Sequence, residues 1–174
     1  MKTITIDLYE YDELPTEAAK QKAVDWFASD YPEYNWWEST YEDAKTVGIT
    51  IKEFDTDRGK IRAESDGITT ARLILENHGP DCETYKTAQS FLSDYDKLAH
   101  KYSDGVKTDQ VDEDNEYEFD HEADELTEEF HRSISEDYLI MLRKEYEYLT
   151  SRESIEENIR INEYTFTAEG ERHD

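Results

Sequence analysis

The 174-residue chain holds a single cysteine, Cys82, so no intrachain disulfide can form, and a reducing, cytoplasmic setting is the natural expectation. Three prolines and six glycines leave little material for linkers or for a many-turned all-β fold. Basic residues are scarce: 19 Lys and Arg stand against 45 Asp and Glu, a net charge of −26 at pH 7. A chain of that sign repels phosphate backbones and anionic lipid, which argues against direct nucleic-acid or membrane-surface binding. No run approaches the roughly 18 apolar residues of a membrane span. The first residues, Met1 to Asp7, lack the apolar core of a signal peptide.

What the chain does have argues for a folded protein. A hydrophobic fraction of 36% and a mean hydropathy of −1.00 would on their own suit a disordered chain. Thirteen Tyr, six Phe and three Trp supply the burial that disordered chains lack. The length suits one domain, 1–174, large enough to enclose a core.

Residues 3–9 alternate, with Ile4, Ile6 and Leu8 on one side, the pattern of a half-buried strand. Thr16 is placed to cap a helix whose Ala19, Ala23, Trp26 and Phe27 form one apolar stripe. A second helix is expected from about Asn35, with Gly48 at its C-terminal cap. Ile49, Ile51 and Glu53 then face one way in a strand. A turn at residues 55–59 and alternation over residues 60–64 complete a hairpin. Ala71, Ile74 and Leu75 mark a third helix, and the spacing of Tyr85, Ala88, Leu92, Tyr95, Ala99 and Tyr102 marks a fourth, longer one. Thr150 and Glu153 fit a capping box for a last helix carrying Ile155 and Ile159, and residues 164–167 alternate as a final strand able to pair with the first. This order predicts an α+β fold: a small, mainly antiparallel sheet covered by helices, with one long acidic helix near the C-terminus.

Residues 109–138 carry half of the excess charge. They hold 14 Asp or Glu and one basic residue, Arg132. Phe119, Ala123, Leu126, Phe130 and Ile134 recur at helical spacing, which predicts an acidic loop followed by a helix over about residues 119–149. At about 100° per residue the acids flank this stripe on both sides. The candidate partner-binding residues are Asp112, Glu113, Asp114, Glu116, Tyr117, Glu118, Asp120, Glu122, Asp124, Glu125, Glu128 and Glu129. Wholly helical, residues 109–138 would carry about one net charge per 3.5 Å of axis, near the ~3.4 Å spacing of a single DNA strand. The plainer reading of a charge run is a solvated face that keeps a protein in solution. Of the nearby tyrosines, Tyr117 and Tyr146 suit an interface, and Tyr138 and Tyr148 suit helix packing.

Catalytic and metal motifs are weak. Glu118-x-x-His121 and Glu128-x-x-His131 match the pattern of di-iron bundles, but those need the two motifs on facing helices. Asp112-x-Asp114-x-Glu116 starts like a calcium loop and then has Tyr117 where the turn glycine belongs. Cys82 lies four residues from His78, yet a half-buried structural thiol is the simpler reading. No phosphate loop, dinucleotide loop, nucleophile elbow or zinc spacing occurs. The expectation is a protein with no catalytic residues, metal or cofactor.

Several stretches resemble an uncharacterised family of phages and bacterial mobile elements, some of whose members are loosely called antitoxins. They include Asp12-Glu13-Leu14-Pro15, Trp36-Trp37-Glu38, Asp57-Arg58-Gly59, Cys82-Glu83-Thr84-Tyr85 and Glu145-Tyr146-Glu147-Tyr148-Leu149. The resemblance implies a phage setting, where small acidic proteins inhibit host defence systems, some by imitating DNA. The resulting expectation is an anti-CRISPR or anti-restriction inhibitor, acting in the host cytoplasm on a basic nucleic-acid-binding protein. The alternatives are an antitoxin or interaction module binding through aromatic contacts, and a carboxylate-based metal enzyme.

Overall fold

The computed structural model describes residues 5–32, 35–103 and 113–173, with the backbone alone described at 113–115. The fold is α+β: six helices accompany four short strands among the described residues. The strands do not join into one sheet. They form two separate antiparallel pairs, β1 (Tyr9–Glu10) with β4 (Thr165–Phe166), and β2 (Thr50–Asp55) with β3 (Lys60–Glu64). The chain divides into two compact units, one of Met1–Trp36 with Lys144–Asp174, the other of Trp37–Arg143.

In the first unit α1 (Glu17–Ala28) starts at Thr16, whose hydroxyl accepts the backbone N–H of Ala19 at 3.1 Å. Ala19, Ala23 and Val24 point inward, while Trp26 keeps 37% of its surface exposed. They pack with Tyr11, Leu14 and Phe166, and with Ile155 and Ile159 of α6 (Arg152–Ile161). The cap of α6 is Ser151, accepting from Ser154 N, one residue later than the expected Thr150. The predicted pairing of the first and last strands is present, through Tyr9 opposite Phe166. Of the strand predicted over residues 3–9, only Tyr9 is in a strand and residues 5–8 are in none, while residues 3 and 4, Ile4 among them, lie outside the described residues. The partner strand β4 is two residues long, so residues 5–8 have no ladder to join, and Ile6 and Leu8 remain 51% and 43% exposed.

In the second unit α2 (Glu38–Thr46), three residues later than expected, ends at Gly48, whose φ of +77° suits a residue without Cβ. Its core gathers Ala44, Val47, Ile49 and Ile51. To these α3 (Gly67–Asn77) adds Ala71 and Ile74, and α4 (Glu83–Ser103) adds Ala88 and Phe91. The hairpin forms as predicted, with one irregularity. Ile51 pairs with Ala63 and Glu53 with Arg62, leaving Lys52 as an extra residue. That bulge turns Glu53 outward and Phe54 inward, correcting the expectation that Glu53 shares a face with Ile51.

The fifth helix, α5, runs Glu113–Leu149. It starts earlier than the predicted 119, so residues 113–118 of the expected loop are helical; residues 109–112 lie outside the described residues. The stripe reads as expected: Ala123, Phe130, Ile134 and Tyr138 are buried, with Phe130 stacked on Phe91 at 4.4 Å. Tyr148 departs from its packing role, 59% exposed. No helix among the described residues is long and apolar enough to cross a membrane.

Candidate functional site: the acidic face of the long helix

A 37-residue helix fixes its charges on a rigid axis, and an apolar stripe on one side decides where the rest point. With Ala123 and Phe130 buried, Glu116, Glu118, Asp120, Asp124, Glu125, Glu128 and Glu129 are all exposed. Asp120, Asp124 and Glu128 form one i,i+4 row; Glu118, Glu125 and Glu129 run along another flank. From Glu116 to Glu129 the axis covers about 20 Å, so the seven carboxylates are spaced roughly 3 Å apart along it. None of the seven makes an ion pair with Lys or Arg among the described residues; Glu125 lies 3.9 Å from His121, a pairing that exists only when the imidazole is protonated.

Glu122 is different. Lys101 reaches both its oxygens, at 2.7 and 2.9 Å, and the Tyr102 hydroxyl donates to it at 2.9 Å. These contacts, Lys101 foremost, hold its carboxyl below the usual carboxylate range. The structure therefore removes Glu122 from the unpaired face: it ties α4 to α5. Tyr117 is 72% exposed on the same helix. Asp112 lies outside the described residues, as do the side chains of Glu113 and Asp114. Tyr146, the other interface tyrosine, belongs to the first unit, where its ring lies 5.3 Å from that of Trp36.

The two Glu-x-x-His motifs do lie on one helix. Among the described residues no group of three or more His, Cys, Asp or Glu side chains is placed to hold a metal ion. Cys82 is exposed rather than half-buried, because the turn before α4 leaves it on the rim.

The structure also assembles a set of polar side chains with no local signature in the chain. The Thr84 hydroxyl meets His78 Nδ1 at 2.7 Å, His78 Nε2 faces Asp43 at 3.6 Å, and the Tyr138 hydroxyl donates to Asp43 at 2.9 Å. Hydroxyl, imidazole and carboxylate in a row have the order of a nucleophilic triad. Thr84, however, is only 3% exposed, and a hydroxyl sealed in the core meets no substrate. The set works as a polar tie between α2, α4 and α5. The Tyr138 hydroxyl is pushed far above its ordinary pKa, first by burial and then by Asp43, so it stays a neutral donor.

A groove of 790 Å³ opens between the hairpin and α5, lined by Lys60, Arg62, His131 and Arg132 together with Glu53, Asp55 and Glu136. Arg62 is spent on Glu53 at 3.0 Å and Asp55 on the turn at Arg58, so the walls carry mixed charge and mark no single ligand class.

Compared with known proteins, the chain matches no family model, and no curated protein or solved structure matches it.

Proposed function

We propose that the acidic face of α5 enters a basic nucleic-acid channel of a partner protein and occupies it in place of a phosphate backbone. The carrying observation is the row of seven exposed carboxylates, from Glu116 to Glu129, that meet no Lys or Arg among the described residues. Like charges at i,i+4 cost a helix about 0.2–0.5 kcal/mol per pair. A cationic channel would relieve that repulsion, release its own counterions and draw the protein in quickly. With the phage resemblance, the partner class is a host nucleic-acid-binding defence effector, of CRISPR or restriction type. The protein then acts in the host cytoplasm by blocking a site and needs no catalytic group.

The test is reversal of Glu118, Asp120, Asp124 and Glu125 to Lys, leaving Glu122 and its tie to Lys101 intact. The variant should fold as before and lose its ability to displace DNA from such effectors. The parent's affinity should fall steeply with added salt. Displacement that survives the reversal, or that ignores salt, sinks the proposal. A second reading, an antitoxin or interaction module working through aromatic contacts, draws on the exposure of Tyr117. In that case Tyr117→Ala abolishes binding and charge reversal does not.

A further inference from the structure

The first unit contains a pocket with no residue of the acidic helix in its lining. Four rings, Trp26, Phe27, Tyr31 and Tyr164, wall a space of 280 Å³. They contact one another edge-on or tilted: Trp26 and Tyr164 lie 5.2 Å apart at 86°, and Phe27 and Tyr31 lie 4.9 Å apart at 41°. The near-perpendicular planes of Trp26 and Tyr164 set the edge of one ring against the face of the other, and the four rings make the wall aromatic on several sides.

Apart from the tyrosine hydroxyls and the indole N–H, the polar wall is made of acceptors. Asp30 contributes an exposed carboxylate with no ion pair among the described residues. Asn158 and Asn162 also line the pocket, and each turns its amide nitrogen back onto the helix. Asn158 Nδ2 donates to Ser154 O and Asn162 Nδ2 to Asn158 O, both at 2.8 Å. Their amide oxygens are the polar atoms left over. A cavity of aromatic rings, a carboxylate and amide oxygens has what a cationic donor needs.

The same rings already hold one cation. The Arg172 guanidinium lies 4.7 Å from the centre of Tyr164 and 5.5 Å from that of Trp26, and Arg172 is not among the walls of the pocket. The chain thus shows a guanidinium-on-ring contact on two of the four rings that wall the cavity. Its net charge of −26 adds a general attraction for cations.

We propose that this pocket receives an arginine side chain of a partner protein, its guanidinium between the rings and hydrogen-bonded to Asp30. The planar group offers donors around its edge while its faces stack on aromatics, whereas a lysine ammonium would be more strongly hydrated and could not stack. The inference uses none of the acids of α5, so either proposal can fail alone.

The test uses the full chain and N-acetyl-argininamide as the probe, followed by proton NMR. Saturable binding is expected, with the probe's side-chain methylene signals moved upfield by the rings. The neutral isostere N-acetyl-citrullinamide should bind about tenfold more weakly, the scale of a desolvated cation–π contact. Asp30→Asn should weaken argininamide binding, and Tyr31→Leu should reduce both the affinity and the upfield shift, in variants whose far-ultraviolet circular dichroism and melting temperature match the parent's. Trp26 also packs on buried Phe166 at 5.8 Å, so the pair at 30 and 31 is the safer choice of variants. Three results would each overturn the proposal: no saturable binding, equal binding of the citrulline probe, or unchanged argininamide binding in both variants. Tighter binding of tetramethylammonium than of argininamide would also overturn it, by assigning the pocket to a quaternary ammonium.

Discussion

In α6 the carboxylate of Glu156 sits between two guanidinium groups, Arg152 at 2.6 Å and Arg160 at 3.3 Å, and Arg160 continues to Asp12 at 3.0 Å. In α5 the carboxylates of Asp120, Asp124 and Glu128 meet no lysine or arginine among the described residues. Both helices are acidic and amphipathic, and each buries an apolar stripe in its own unit. The difference lies in what was placed one turn away. Residues 152–160 carry an arginine at either end, four residues from Glu156 on each side. Residues 116–129 carry no Lys or Arg at all. A run of acid is thus either internal scaffolding or an outward face, and the nearby cations decide which.

Because α5 is held chiefly by its stripe, with polar ties such as Lys101–Glu122 added to it, the largest effect comes from the stripe. Phe130 is 2% exposed and stacked on Phe91, so Phe130→Ala should cost about 3–5 kcal/mol, read as a lower urea midpoint. A change under about 1 kcal/mol would mean that the acidic helix is held by something other than its packing.

Asp137 is an acid of a third kind, half-buried on α5 and accepting the Thr87 hydroxyl at 2.7 Å. Burial pushes its carboxyl up, more than the Thr87 hydrogen bond pulls it down. A group whose pKa is raised in the folded state stabilises fully below its unfolded pKa, and that contribution is lost as pH rises through the folded value. Asp137→Asn keeps the acceptor and removes the charge. Relative to the parent it should gain stability at pH 7, by a fraction of what Phe130→Ala loses, and the gain should vanish near pH 3. Denaturation at the two pH values measures this, and an equal effect at both would exclude the burial argument.

The smallest effects carry the sharpest contrast, because they differ in sign. Neutralising Asp124 to Asn relieves two i,i+4 repulsions, with Asp120 and Glu128, and should stabilise by a few tenths of a kcal/mol for each. Neutralising Glu156 to Gln should destabilise by under about 1 kcal/mol, since its arginine partners are half exposed and screened. Partial burial alone would raise the Glu156 carboxyl, but Arg152, then Tyr11 and Arg160, outweigh it and hold it low. Its contribution is therefore present above the unfolded carboxylate pKa and lost as pH falls through the folded one. Thermal melts of the two variants at low salt should move in opposite directions. If both move the same way, the contrast between the helices is one of sequence only.

Features settled within one turn of chain were legible in the sequence. Thr16 capping α1, Gly48 closing α2, the turn at Asp55 and the stripe from Ala123 to Ile134 all follow from local stereochemistry. Features that need a distant partner were not. The strand expected at residues 3–9 had the right alternation but only a two-residue partner. Glu122 looked like its neighbours until Lys101, 21 residues away, reached it. Tyr138 and Asp43, 95 residues apart, share no pattern that announces their hydrogen bond. The ring-walled pocket was not legible at all: spacing assigns Trp26 and Phe27 to the stripe of α1, and Tyr31 and Tyr164 join them only in the folded unit.

The bulge at Lys52 has a consequence for how the hairpin tolerates change. Because Ile51 already pairs with Ala63 and Glu53 with Arg62, the residue between them is surplus to the ladder. Excising it would let the strand close into plain alternation, with Ile51 and Phe54 still facing inward. Inserting a residue anywhere else along the same strand would reverse every side chain beyond it. The hairpin thus has one position where chain length can be shortened with the loss of only an exposed ion pair, Lys52 with Glu64 at 2.9 Å, and a frame that resists it everywhere else.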